Sequence, residues 1–324
     1  MRVVILDDYQ SAARQFADWS VIQDLDLVTL PEHIADEATL VEHLVGAQVV
    51  VAMRERTQMA ASLFNRLTDL QLVVTTGLSN AVIDIAAAAT RGITVCGTSG
   101  IISPTSELTW GLILAVTRNI ASDDATMRVG GWQTQMGTGL AGRRLGLVGL
   151  GNIGGLVAKV GLAFGMDVVA WSQNLSSDKA EAIGVRSVSK EELLSTSDIV
   201  SLHYQLSDRS RGIIGAAELA IMKRSAIIVN TSRGPLIDQT ALVDALRNRS
   251  IAGAGLDVYE LEPLSADDPL RSLPNTVLSP HTGYVVDQCF KIFYEHIVED
   301  IVMWQAGTPV RLLSPPTSQT PPAH

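Results

Sequence analysis

The sequence has two cysteines, no basic run and no apolar stretch approaching the roughly 18 residues of a membrane-spanning helix. Cys96 and Cys289 are too few for a disulfide framework and stand at no metal-ligand spacing, so no metal is expected and a reducing compartment, the cytoplasm, is. The formal net charge is −10, and no stripe of lysine and arginine could neutralise successive phosphates, which argues against a nucleic-acid partner. An anionic small molecule would have to be held by single arginines and backbone amides against the overall field. The opening apolar run reaches only Leu6 before Asp7 and Asp8, too short for the core of a secretory signal.

What is present is ordinary globular composition, 47% hydrophobic and 18% charged over 324 residues, a length that suggests two domains. Short β-branched runs alternate with helix-period segments, the pattern of βα units around parallel sheets. One strand series is expected at Val3 to Leu6, Leu25 to Leu30, Gln48 to Ala52, Leu72 to Thr75 and Ile93 to Cys96. A second, of six strands, is expected at Leu145 to Gly149, Asp167 to Trp171, Asp198 to His203, Ala226 to Asn230, Gly253 to Asp257 and Thr276 to Leu278. A long helix over Pro104 to Arg118 joins them, and a last helical pattern, Gln288 to Gln305, is expected to return to the first domain. The Pro-rich 314–324 reads as a disordered tail.

The second series opens with Gly149-Leu150-Gly151-Asn152-Ile153-Gly154, between a strand and a helical pattern. Gly149 suits the tight turn, Gly151 the close approach of a pyrophosphate, and Gly154 the packing of helix on strand, so a dinucleotide site is expected at the helix start. At the end of the next strand, where an acid would bind the ribose 2′-hydroxyl and repel a 2′-phosphate, stands Ser172. NAD or NADP is the expected cofactor, with the balance towards NADP because that acid is missing.

Three further segments each close a strand: Asn230-Thr231-Ser232-Arg233-Gly234, Asp257-Val258-Tyr259-Glu260-Leu261-Glu262-Pro263 and Ser279-Pro280-His281-Thr282-Gly283. In that order behind a G-x-G-x-x-G, they resemble the D-isomer-specific 2-hydroxyacid dehydrogenase family from Leu6 to about Leu313. The resemblance implies a doubly wound Rossmann domain (102–287) and a smaller flavodoxin-like α/β substrate domain (1–101 and 288–313). It implies hydride transfer between NAD(P)H and C2 of a small 2-keto acid, with Arg233 as substrate clamp, Glu262 as orienting acid and His281 as proton donor and acceptor. These types suit the chemistry. A protonated imidazole neutralises the charge left on the carbonyl oxygen, a carboxylate beside it stabilises the cation and fixes the ring, and a guanidinium grips a carboxylate with two bonds.

By the same resemblance Asn152 and Ile153 cover the pyrophosphate, and Ser172 and Gln173 lie at the adenosine ribose. His203 and Tyr204 form a loop beside the cofactor, with Gln205 where the family has proline. Thr231 lines the nicotinamide ribose, Asp257 lies near the carboxamide, and Ser232 and Gly283 complete the cofactor set. The loop Gly77-Leu78-Ser79, after a strand, offers amides to a substrate carboxylate, and Arg54 is a candidate second anionic contact. A homodimer is expected, with Trp132 and Met136 as candidate interface residues. Resemblance to formate dehydrogenases would put Gln at position 262, so formate is disfavoured. The alternatives are phosphite oxidation and a non-catalytic NAD(H)-sensing protein on the same scaffold.

Overall fold

The computed structural model describes residues 1–314, so the tail expected at 314–324, apart from Ser314, lies outside the described residues. The chain forms two compact units, one of Met1–Ile101 with the chain from Val285 onward, the other of Ile102–Tyr284.

In the first unit the strands are β1 (Arg2–Ile5), β2 (Asp26–Thr29), β3 (Val49–Ala52), β4 (Leu72–Thr75) and β5 (Thr94–Gly97), with helices α1 (Glu37–Leu44), α2 (Ala61–Arg66) and α3 (Ile85–Thr90) between them. Val49, Val50 and Val51, like Leu72, Val73 and Val74, are wholly buried. Strands covered on both faces must be apolar on both, which is why these runs do not alternate. The order β2-β1-β3-β4-β5, all parallel, is the flavodoxin-like arrangement.

The second unit begins with α4 (Ser103–Thr117) and α5 (Ile120–Arg128). There follow β6 (Arg144–Val148), α6 (Asn152–Ala163), β7 (Asp167–Trp171), α7 (Ser177–Glu181), β8 (Arg186–Ser187), α8 (Lys190–Thr196) and β9 (Ile199–Leu202). The unit closes with α9 (Ala216–Ile221), β10 (Ile227–Asn230), α10 (Gln239–Arg247), β11 (Gly253–Leu256) and β12 (Thr276–Leu278). Its sheet has seven strands where six were expected, in the order β12-β11-β10-β9-β6-β7-β8 and all parallel. The additional strand, β8, is two polar residues long, too short to leave a hydrophobic period. Counted from β6 the order is the Rossmann one extended by a strand, and its direction of winding reverses between β6 and β9. Ligands of such sheets bind outside the carboxyl ends at that reversal.

The chain then re-enters the first unit as α11 (Asp287–Gln305), which lies against β4 and buries Phe293, Tyr294, Ile297 and Ile301. Beyond it Leu313 donates its amide to Val95 and Gly97 donates to the Arg311 carbonyl, so the end of the described chain pairs antiparallel with β5. Arg311 is fixed there by Asp300 of α11, with Nε at 3.1 Å and Nη2 at 2.9 Å from its carboxylate.

Candidate active site

The dinucleotide turn is built by close approach. Gly149 sits at φ +101° and donates its amide to the Trp171 carbonyl at 2.8 Å. A Cβ on Gly149 would land on the His203 carbonyl, and one on Gly154 would land on the carbonyl of Gly149. At Gly151 a Cβ would meet nothing within 4 Å, so the middle glycine faces open space. Helix α6 starts there, twelve residues long and without a side-chain cap, leaving the first amides, including those of Asn152 and Ile153, to an external acceptor.

His203, after β9, packs its main chain on this turn and sets its Nε2 2.9 Å from the Ser201 hydroxyl. Burial pushes its pKa down to about 4, so the ring is neutral near pH 7. Tyr204 turns its ring onto Trp171, stacked with centroids 5.9 Å apart, and its carbonyl accepts from the Ser232 hydroxyl at 2.7 Å. Ser172 is half-buried and Gln173 exposed at the end of β7. Thr231 is buried, its hydroxyl 2.7 Å from that of Thr109 in α4.

The ends of β10, β11 and β12 are neighbours in the sheet, about 5 Å from strand to strand, and carry the remaining residues. Asn230, buried, folds the first of them: its Nδ2 donates to the Arg233 carbonyl at 2.9 Å and its Oδ1 accepts the Ser232 amide at 3.0 Å. Arg233 is half-buried, with Nη1 2.8 Å from the Ser232 carbonyl. Glu262 accepts the Tyr259 amide on Oε1 at 2.9 Å and places Oε2 2.5 Å from His281 Nδ1.

His281 itself takes φ +54°, a left-handed conformation that an L side chain adopts only under constraint. The constraint is Asp257, whose two oxygens accept the next two amides, Thr282 at 2.8 Å and Gly283 at 2.9 Å. Asp257 was expected near a nicotinamide carboxamide; here both of its oxygens hold the turn that presents His281. Burial raises its pKa, with those amides working in the opposite sense.

In the first unit Arg54 also lies at positive φ, +53°, with its amide on Thr76 Oγ1 at 2.9 Å and Nη1 3.3 Å from the Thr76 carbonyl. The Gly77 amide, a candidate for a substrate carboxylate, donates to the Thr98 hydroxyl at 3.0 Å. A Cβ at Gly77 would collide with the Arg54 guanidinium, so this glycine makes room for the arginine. Leu78 and Ser79 are exposed, and among the described residues their amides have no protein acceptor.

Residues 110–283 match the family model described as D-isomer specific 2-hydroxyacid dehydrogenase, NAD binding domain, over more than half of the chain. The chain belongs to this family. A glyoxylate reductase of Korarchaeum cryptofilum is 37% identical over 254 residues, 76% of each chain. A D-3-phosphoglycerate dehydrogenase of Archaeoglobus fulgidus is 36% identical over 265 residues, 81% of this chain and 50% of that one. A solved structure of phosphoglycerate oxidoreductase from Vibrio cholerae superposes with a TM-score of 0.91 at 35% identity, covering 95% of this chain and 99% of the other.

The protein is an NAD(P)-dependent dehydrogenase of that family, and the cradle at Gly149, Gly151 and the start of α6 fits a dinucleotide pyrophosphate. Among the described residues no helix is long and apolar enough to cross a membrane. Two residues that hold the dehydrogenase's site went unassigned in the sequence, Asn230 and Tyr259. Asn230 carried a signal, since asparagine at a strand end commonly bonds the main chain two residues on. Tyr259 carried none, its partners being set by the fold.

Proposed function

We propose that this dehydrogenase reduces a small 2-keto acid to the D-2-hydroxy acid, with unit 2 holding the cofactor and the reacting groups and unit 1 serving as the substrate domain. The observation that carries the reading is the 2.5 Å contact of His281 Nδ1 with Glu262 Oε2. It commits Nδ1 to the carboxylate and leaves Nε2 as the nitrogen for substrate. In reduction, Nε2 donates a proton to the C2 oxygen; in oxidation the neutral Nε2 accepts it from the hydroxyl. The bound nicotinamide supplies or takes the hydride at C2. Arg233 binds the substrate carboxylate and stabilises the charge that develops on the C2 oxygen. Leu78 and Ser79, with Arg54 beside them, are the candidate anion-binding groups of unit 1. The cofactor assignments of Asn152, Ile153, Ser172, Gln173, His203, Tyr204, Thr231, Ser232 and Gly283 belong to the same proposal.

Ser172 supports use of NADP, because no carboxylate there opposes a 2′-phosphate. A homodimer is supported by exposed apolar side chains in and after α5, among them Met127, Val129, Trp132 and Met136, a grouping that monomers rarely leave in water. The buried thiols Cys96 and Cys289, neither in a disulfide, support a cytoplasmic setting.

The test is a panel of glyoxylate, hydroxypyruvate, pyruvate and bulkier 2-keto acids, each with NADH and NADPH, and phosphite with the oxidised cofactors. Turnover of a keto acid to the D product, abolished in His281→Ala and Arg233→Ala with cofactor affinity held within a few-fold, supports the reading. Oxidation of phosphite, or cofactor binding with no turnover, overturns it.

A further inference from the structure

Tyr259 touches each of the segments that carry the reacting groups. Its amide donates to Glu262 Oε1 at 2.9 Å, on the far side of the carboxylate from His281. Its phenol donates to the Ser279 carbonyl at 2.9 Å, with a longer branch of 3.2 Å to Leu256. Its own carbonyl is the surface against which the residue after Arg233 packs: a Cβ on Gly234 would fall on the Tyr259 carbonyl group. Residues after β10, β11 and β12 are therefore tied together at a single side chain and its peptide.

The phenol's two acceptors differ in what they depend on. The Leu256 carbonyl already accepts the Ser279 amide at 2.8 Å, a regular bond at the end of the sheet. The Ser279 carbonyl has no other donor among the described residues. It belongs to the peptide leading into Pro280, which has no N–H with which to anchor itself, and Pro280 is exposed. The next residue is His281, held at positive φ. Downstream, Asp257 fixes the turn through Thr282 and Gly283; upstream, the Ser279 amide is held on Leu256 and its hydroxyl lies 2.6 Å from that of Thr282, while its carbonyl, the acceptor next to Pro280, is held by the phenol. The hydroxyl is buried, and burial together with the nearby Asp257 and Glu262 carboxylates raises its pKa, so it stays a donor throughout the neutral range.

We propose that Tyr259 is a positioning residue of the reaction, its amide setting Glu262 and its phenol setting the Ser279–Pro280 peptide so that carboxylate and imidazole meet. The proposal rests on the roles given above to His281 and Glu262. It goes beyond them in making the geometry of that pair depend on a hydroxyl that touches neither.

Tyr259→Phe is the direct test, because it removes the hydroxyl and keeps the ring, the volume and the amide. Two readouts separate positioning from mere stability. The first is kcat against cofactor affinity: kcat falls roughly tenfold, the worth of one buried hydrogen bond expressed at the transition state, and NADH affinity does not change. The second is the proton NMR signal of His281 Nδ1, identified by its loss in His281→Gln, which moves upfield or broadens in Y259F as the contact with Glu262 loosens. A variant whose kcat and Nδ1 signal both match the parent overturns the proposal, even if its melting temperature has dropped. If the parent itself reduces no 2-keto acid, the proposed function fails, and the Nδ1 signal still decides the role of Tyr259.

Discussion

Asp257 accepts the amide of Thr282 at 2.8 Å and thereby sets the conformation of the residue before it, His281. A neutral amide in its place keeps the shape but replaces one acceptor by a donor, which then faces the Thr282 or Gly283 amide. Asp257→Asn is expected to lower kcat at least roughly tenfold and to cost about 1–3 kcal/mol of stability, the cost of a buried amide left without an acceptor. Steady-state kinetics and urea unfolding check both. Unchanged kcat would show that the left-handed turn at His281 holds without the carboxylate.

Cofactor choice turns on Ser172. Ser172→Asp introduces an acceptor for a ribose 2′-hydroxyl and a negative charge against a 2′-phosphate. The NADH to NADPH ratio of kcat/KM is expected to rise about tenfold or more, an effect on the order of 1.4 kcal/mol. A ratio that stays put would mean that the end of β7 does not meet the ribose.

His203 makes stability depend on pH. Its pKa is lowered from 6.5 to about 4 by burial, so between those values the unfolded chain binds a proton that the folded chain refuses. This contribution is complete above pH 6.5 and is lost as the pH falls through that window, up to about 3 kcal/mol. Urea unfolding of the parent and of His203→Asn near neutrality and near pH 4.5 checks it. The gap between the two proteins should narrow or reverse in acid, and a constant gap would rule the histidine out.

Arg311 and Asp300 offer a test in the other unit. Asp300 is wholly buried and its carboxyl is pushed up to about 7 by that burial, against the pull of Arg311. Arg311→Ala removes the partner of a carboxyl that then takes up a proton, and the buried group left short of hydrogen bonds should cost about 1–3 kcal/mol. Asp300→Asn should cost less at neutral pH, since that carboxyl is already partly protonated there. Hydrogen exchange at Gly97 and Leu313, whose amides hold the end of the described chain to β5, should quicken in R311A. Equal losses in the two variants would contradict the account.

Strands such as β3 and β4 were legible because burial on both faces forces unbroken β-branched runs, and the turn before α6 because close backbone approach restricts Gly149 and Gly154 to glycine. The partnership of His281 with Glu262 spans 19 residues and could be expected only through the motifs that carry them. What stayed hidden depends on acceptors brought from elsewhere. Nothing local to Gly77 says that Thr98, 21 residues on, takes its amide, and nothing local to Asp257 says that the amides following His281 will occupy it. β8 escaped for a different reason, being too brief to show a period.

The return of the chain to unit 1 through α11 has a consequence for biosynthesis. The five strands of that unit leave the ribosome early, but the helix that covers β4 follows roughly 190 residues later, about 10–40 s at ordinary translation rates. Throughout that interval β4 lacks the cover that Phe293, Tyr294 and Ile297 will provide, whereas every strand of unit 2 is complete before α11 emerges. The sheet synthesised first is thus the last to have its β4 face covered.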